Sequence, residues 1–174
     1  MRAGLLICCL LLAACARQDP EHPRVIAAWW IEDVSRGIAR RPAELHRIPE
    51  DPDLRRLADW AGASDVPPAQ LAARSRRWDQ IRALFATGDA VLPPADSPAG
   101  RAGLIAPRPG LSVEIAEQVA PVVDAENRDR RIIAAIAGER LRVVPAEASA
   151  WMATLAEVRR NADAAAGAQV WNSR

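Results

Sequence analysis

Residues 121–138 read PVVDAENRDRRIIAAIAG, and the fold turns on how this stretch is read. Val122, Val123, Ile133 and Ile136 recur at helical spacing and define an apolar face. Continuing that stripe in steps of three and four lands on Glu126 and Asp129, with Asn127 and Arg130 beside them on adjoining turns. A hydrophobic helix is thus interrupted by E-N-R-D-R at 126–130. Three readings are open. The run is a solvated face with pairs such as Glu126–Arg130, each worth only about 0.2–0.5 kcal/mol. It is a partly buried structural cluster, in which Asn127 satisfies a neighbouring loop's backbone and the planar fork of Arg130 clamps carbonyls or a carboxylate. Or it is a ligand or partner site. The interrupted stripe fits the structural cluster best.

Around this stretch the chain is mostly helical. Ser112 is the expected N-cap of the helix, Gly138 its stop, and Pro121 a kink or break within it. Before it, Pro68 to Thr87 carries Leu71, Arg74 or Ser75, Trp78, Ile81 and Phe85 on one stripe, and Gly88 is a natural C-terminal cap. Asp51-Pro52 opens a short helix that buries Leu54 and Leu57, with Trp60 a further candidate, and stops at Gly62. From Val25 another helix carries Ile26, Trp30, Val34 and Ile38 every fourth residue, widened by Trp29 and Ile31, and ends by Pro42. A last helix opens near Pro145 with Ala148, Trp151, Leu155 and Val158 on one face. Residues 88–110 are rich in proline and glycine. Within them Ala90–Leu92 and Gly103–Ala106 are candidates to pair as one small hairpin, and the tail from 165 ends in a short extended piece.

The N-terminus sets the expected location. Arg2 and the apolar run Leu5–Leu12 suit an export signal, and the run is shorter than the roughly 20 residues of a membrane span. Leu12-Ala13-Ala14-Cys15 resembles the lipobox of bacterial lipoproteins. That resemblance implies a signal peptide over 1–14, a diacylglycerol thioether on Cys15, and acylation of the new N-terminus. Several acyl chains hold a protein at a bilayer, each buried methylene contributing about 0.8 kcal/mol. Ala16 follows where aspartate would favour inner-membrane retention, so the expected address is the outer membrane, periplasmic face. Residues 15–24, with two prolines, form the lipidated N-terminus and tether, and 25–174 the folded domain. Cys8 and Cys9 leave with the signal, so the mature domain folds without a disulfide.

Composition narrows the function classes. With 23 basic and 22 acidic residues the chain is nearly neutral, which points away from nucleic acid. Every basic residue is arginine, which excludes lysine Schiff-base chemistry and a Walker-type phosphate loop. Six tryptophans stand beside no tyrosine. Most suit core packing, but Trp29 and Trp30 cannot share one helix face, so one of them is expected to mark a contact surface. No catalytic constellation emerges. Glu44 and His46 make two ligands of a metal site at most. There is no Gly-x-Ser-x-Gly elbow. Glu114 and Glu117 read as a solvated pair. No catalytic residue, metal ligand or cofactor site is expected.

RSRRWDQIRALFATGDAV, GLIAPR and VAPVVDAENRDRR together resemble the YdbL-like family of small bacterial envelope proteins. The resemblance rests on Arg77-Trp78, Ile81, Leu84 and Gly88, on Gly103-Leu104-Ile105 and Arg108, on Asn127 with Arg130, and on a closing Gly167-Ala168-Gln169-Val170-Trp171. It covers residues 74–171. The chain departs from the family pattern in the second glycine of the turn, in a proline-rich insertion before Gly103, and in the tyrosine expected after Arg130. The family has no assigned enzymatic activity. Its links to envelope maintenance and to AsmA-like proteins thought to carry phospholipid imply an accessory or chaperone-like role with such a partner. The expectation is therefore a mainly α single domain of four or five helices with one small hairpin, lipid-anchored and non-catalytic. The alternative is a lipid- or small-molecule-binding periplasmic module.

Overall fold

The computed structural model describes residues 23–37 and 69–171. The signal, Cys15, the segment 38–68 with its expected Asp51–Gly62 helix, and the Glu44–His46 pair lie outside the described residues. Among the described residues five α-helices dominate, in a mainly α single domain with a small three-stranded sheet. They are α1 (Pro23–Ser35), α2 (Ala69–Thr87), the single-turn α3 (Pro98–Arg101), α4 (Val113–Arg140) and α5 (Ala148–Ala165). A 3-10 turn at Pro145–Glu147 leads into α5. The strands are β1 (Ala90–Leu92), β2 (Ala106–Pro107) and β3 (Gln169–Val170).

Helix α4 runs unbroken through Pro121, so neither a break nor a restart occurs there. Pro121 is exposed, and a helix edge facing water tolerates the loss of one backbone hydrogen bond. Nor does Gly138 end the helix. A Cβ there would lie 3.3 Å from Trp151 Nε1, so the glycine makes room for the indole, which donates to Ala134 O at 3.4 Å. The stop comes three residues later. Val143 N donates to Gly138 O and Arg142 N to Glu139 O, a Schellman ending with Arg142 at φ 50° in the left-handed position. Helix α2 closes the same way through Gly88 at φ 73°.

Helix α1 begins at Pro23 rather than Val25 and is over by Ser35, well before Pro42. Of its expected stripe Ile31 is buried, the Ile26 side chain and Ile38 lie outside the described residues, and at Trp29, Trp30 and Val34 the buried face is shifted from the expected one. Ala27, Ala28, Ile31, Glu32 and Ser35 are buried, whereas Trp30 and Val34 pack only at the margin and Trp29 is 40% exposed. Small residues let α1 approach its neighbours closely, so they take the contact line that the larger residues were expected to fill.

Side-chain pairs fix the helix directions. Glu32 meets Arg74 and Arg36 meets Trp78, so α1 and α2 run in parallel. Glu126 meets Arg74, while Val119 and Val123 pack in one cluster with Ile81 and Phe85, so α4 runs against α2. Arg130 meets Asp163 and Ala134 meets Trp151, so α5 runs against α4. Two apolar cores follow along the bundle. One gathers Ala28, Ile31, Leu71, Ile133, Ala137, Trp151 and Leu155. The other gathers Trp78, Ile81, Phe85, Leu92, Ile105 and Val123 under the sheet. Trp78 and Phe85 meet edge to face there at 6.5 Å.

The sheet order is β2-β1-β3. β1 pairs with β2 antiparallel, Val91 opposite Ala106, and with β3 in parallel, Val91 opposite Gln169. The hairpin expected between Ala90–Leu92 and Gly103–Ala106 is displaced to Ala106–Pro107, because the backbone of Gly103 and Ile105 is held by side chains of α4 instead.

Candidate functional site

Between the two apolar cores lies a belt of charge. Helix α4 supplies Glu126 and Arg130, α2 supplies Arg74, α1 supplies Glu32 and Arg36, and α5 supplies Arg159 and Asp163. All but Arg36, at 6%, have no exposed surface. Arg74 sits at the centre. Its Nε donates to Glu126 Oε1 at 2.6 Å, its Nη2 to Glu32 Oε1 at 2.6 Å, and its Nη1 to Glu32 Oε2 at 2.8 Å and to Ser35 Oγ. Arg130 takes the other side of Glu126 Oε1 through Nε at 2.8 Å and grips Asp163 with both Nη atoms, at 2.7 and 3.0 Å. Arg36 reaches Asp163 Oδ1 at 2.8 Å while lying 4.1 Å over the Trp78 ring. Each carboxylate is shared by two or more guanidinium groups, whose fixed forks suit such bridging.

The four residues expected as a cluster take three roles. Glu126 and Arg130 belong to the belt. Asn127 faces the loop before β2, where its Oδ1 accepts from Ile105 N at 3.1 Å and its Nδ2 donates to Ile105 O at 2.8 Å. Asp129 lies at the rim and pairs with Arg77 at 2.9 Å. Arg130 also donates to Gly103 O at 2.9 Å. Gly103 has φ 62°, and a Cβ there would sit 2.8 Å from Ala156 Cα, so the close approach of this loop to α5 requires glycine.

Glu32, Arg36, Arg159 and Asp163 were missed from sequence. Arg74 was noted only as a stripe position. A signal did exist for α5: stepping by four from Trp151 and Leu155 reaches Arg159 and then Asp163, so its apolar stripe runs into charge as that of α4 does.

The electrostatics hold Glu126 and Glu32 ionised. Burial alone would raise the Glu126 carboxyl, but Arg74 and Arg130 outweigh it and bring it down to about 2. Glu32 is likewise held well below the usual carboxylate range, burial being overcome chiefly by Arg74 and then by Arg36 and Arg159. Arg74 and Arg130 are raised by their carboxylates against the effect of burial. Within the belt four buried arginines face three carboxylates, the fourth buried carboxylate, Asp129, pairing with Arg77 at the rim, and the surplus cation of the belt is Arg159. It donates from Nη2 to Arg130 O at 2.8 Å, and its Nε lies 3.5 Å from Glu32 Oε2 without hydrogen-bond geometry. Nε and Nη1 have no hydrogen-bond partner among the described residues. Burial pushes this guanidinium down to about 9, and it remains charged at neutral pH.

Chemically the belt is closed. Both oxygens of Glu126 are occupied by arginines, and a carboxyl near 2 carries no proton to donate at neutral pH. Among the described residues no three histidine, cysteine or carboxylate side chains converge as a metal would require. No helix among them is long and apolar enough to cross a membrane. One open groove of about 520 Å³ lies between the 95–101 segment and α5, lined by Ala95, Gly100, Met152, Ala153 and Ala156, with Arg101, Glu157 and Arg160 among its polar residues.

Comparison with family models, with curated proteins and with solved structures found no match to this chain.

Proposed function

We propose that the chain is a lipid-anchored envelope protein of the outer membrane whose helical domain acts as a rigid, non-catalytic accessory or chaperone-like factor. The observation that carries this reading is the belt itself. Among the described residues this group of charged side chains is sealed from solvent, and apart from Nε and Nη1 of Arg159 its hydrogen-bonding groups are satisfied internally, as a scaffold would use it. The positions of the YdbL-like resemblance support the same reading, since Trp78, Ile81, Gly103, Ile105, Asn127 and Arg130 all make internal contacts. By that resemblance the partner is an AsmA-like envelope protein. The anchor rests on the Leu12-Ala13-Ala14-Cys15 motif. Growth on radiolabelled palmitate followed by immunoprecipitation tests it: label should travel with the protein and disappear in Cys15→Ser. An unmodified residue 15 by mass spectrometry would remove the envelope assignment. Pull-down of the detergent-solubilised lipoprotein tests the partner.

The groove along α5 favours a second reading, a periplasmic lipid-binding module. Titration of fatty acids against tryptophan fluorescence separates the two, because the accessory reading predicts no saturable change.

A further inference from the structure

We infer that the domain meets the bilayer with the end that carries the α4–α5 turn and turns the sheet away from it. This rests on the lipid anchor proposed above. Helix α1 begins at Pro23, eight residues beyond Cys15. At full extension those residues reach about 28 Å. The helix directions place the start of α1 at the same end of the bundle as the start of α2, the end of α4 and the start of α5. Glu32 and Glu126 share Arg74, so Pro23 stands level with about residue 135 of α4, and the sheet and the first turn of α4 lie about 22 residues of that helix away, at the other end. At 1.5 Å per residue that is about 33 Å. An inverted domain, standing on its sheet, would hold the start of α1 farther from the bilayer than the tether reaches.

The near end is suited to a lipid surface. Val144 at the tip of the turn is 51% exposed, with Pro145 and Ala146 exposed beside it. Arg140 and Arg142 are exposed there, with Glu139 and the half-buried Glu147 as the acidic groups of the same turn. Trp29, exposed on the flank of α1 about 9 Å along the helix from Pro23, suits the headgroup depth that tryptophan prefers.

The mature lipoprotein has no thiol other than the acylated Cys15, so single cysteines can be placed freely. Val144→Cys and Val113→Cys, both at exposed positions at opposite ends, are labelled with an environment-sensitive dye. The full lipidated chains are then reconstituted into phosphatidylethanolamine–phosphatidylglycerol vesicles. Brominated lipid should quench the label at 144 with a blue shift and leave the label at 113 unchanged. Quenching at 113, or at neither position while the protein still floats with the vesicles, overturns the orientation. A chain that neither floats nor incorporates palmitate fails earlier, at the anchor, and takes the orientation with it.

Discussion

Arg74 and Glu126, on antiparallel helices and 52 positions apart, meet at 2.6 Å with neither side chain exposed to solvent. Around that pair four helices are tied together by charges that could not be buried singly. An isolated charge in a protein interior is penalised by several kcal/mol, and only close pairing with filled hydrogen bonds offsets this. The belt meets that condition at Arg74 and Arg130 and falls short of it at Arg159.

That inequality gives the first prediction. Arg74→Met strands Glu32 and Glu126 without their main partner and should cost about 3–5 kcal/mol in urea unfolding. Arg74→Lys should recover only part, since an ammonium cannot bridge two carboxylates as the fork does. Arg159→Met removes the surplus cation and fills its volume, so it should fall within about 1 kcal/mol of the parent.

Acid should open the belt. The Glu126 carboxyl is lowered in the fold, so its stabilisation is complete above its unfolded value of 4.5 and is lost as pH falls toward about 2. The shift corresponds to roughly 3 kcal/mol, with Glu32 acting in the same direction. Thermal unfolding followed by circular dichroism should show Tm falling below about pH 4.5, and Glu126→Gln, less stable at neutral pH, should show a shallower fall.

Asn127 holds a loop rather than a helix. Asn127→Ala leaves the N–H and C=O of Ile105 without their amide partner and should cost about 1–3 kcal/mol. Hydrogen exchange should rise at the Ile105 amide, while the amides of α4 near Ile133 keep their protection.

The helices were legible because their stripes are regular. Leu71, Arg74, Trp78, Ile81 and Phe85 are buried as the spacing of α2 predicts, and the interruption at 126–130 pointed to the polar layer. The partners of that layer were not legible. Glu32 and Arg36 follow Ala28 in steps of four, but tryptophan and isoleucine on the neighbouring face gave a stronger apolar signal and turned the expected stripe of α1. The sheet was legible only in part, because strands of two or three residues carry no alternation to read. Which backbone pairs with β1 depends on Asn127 and Arg130 holding Gly103 and Ile105 away, a long-range contact outside local spacing.

The central claim is that buried arginine–carboxylate pairing joins these helices into one unit. A double-mutant cycle on Arg74→Met and Glu126→Gln, read by urea unfolding, tests it directly. The account predicts a coupling of about 2–3 kcal/mol, the double variant losing clearly less than the two single losses added. Additive losses, with coupling near zero, would contradict it.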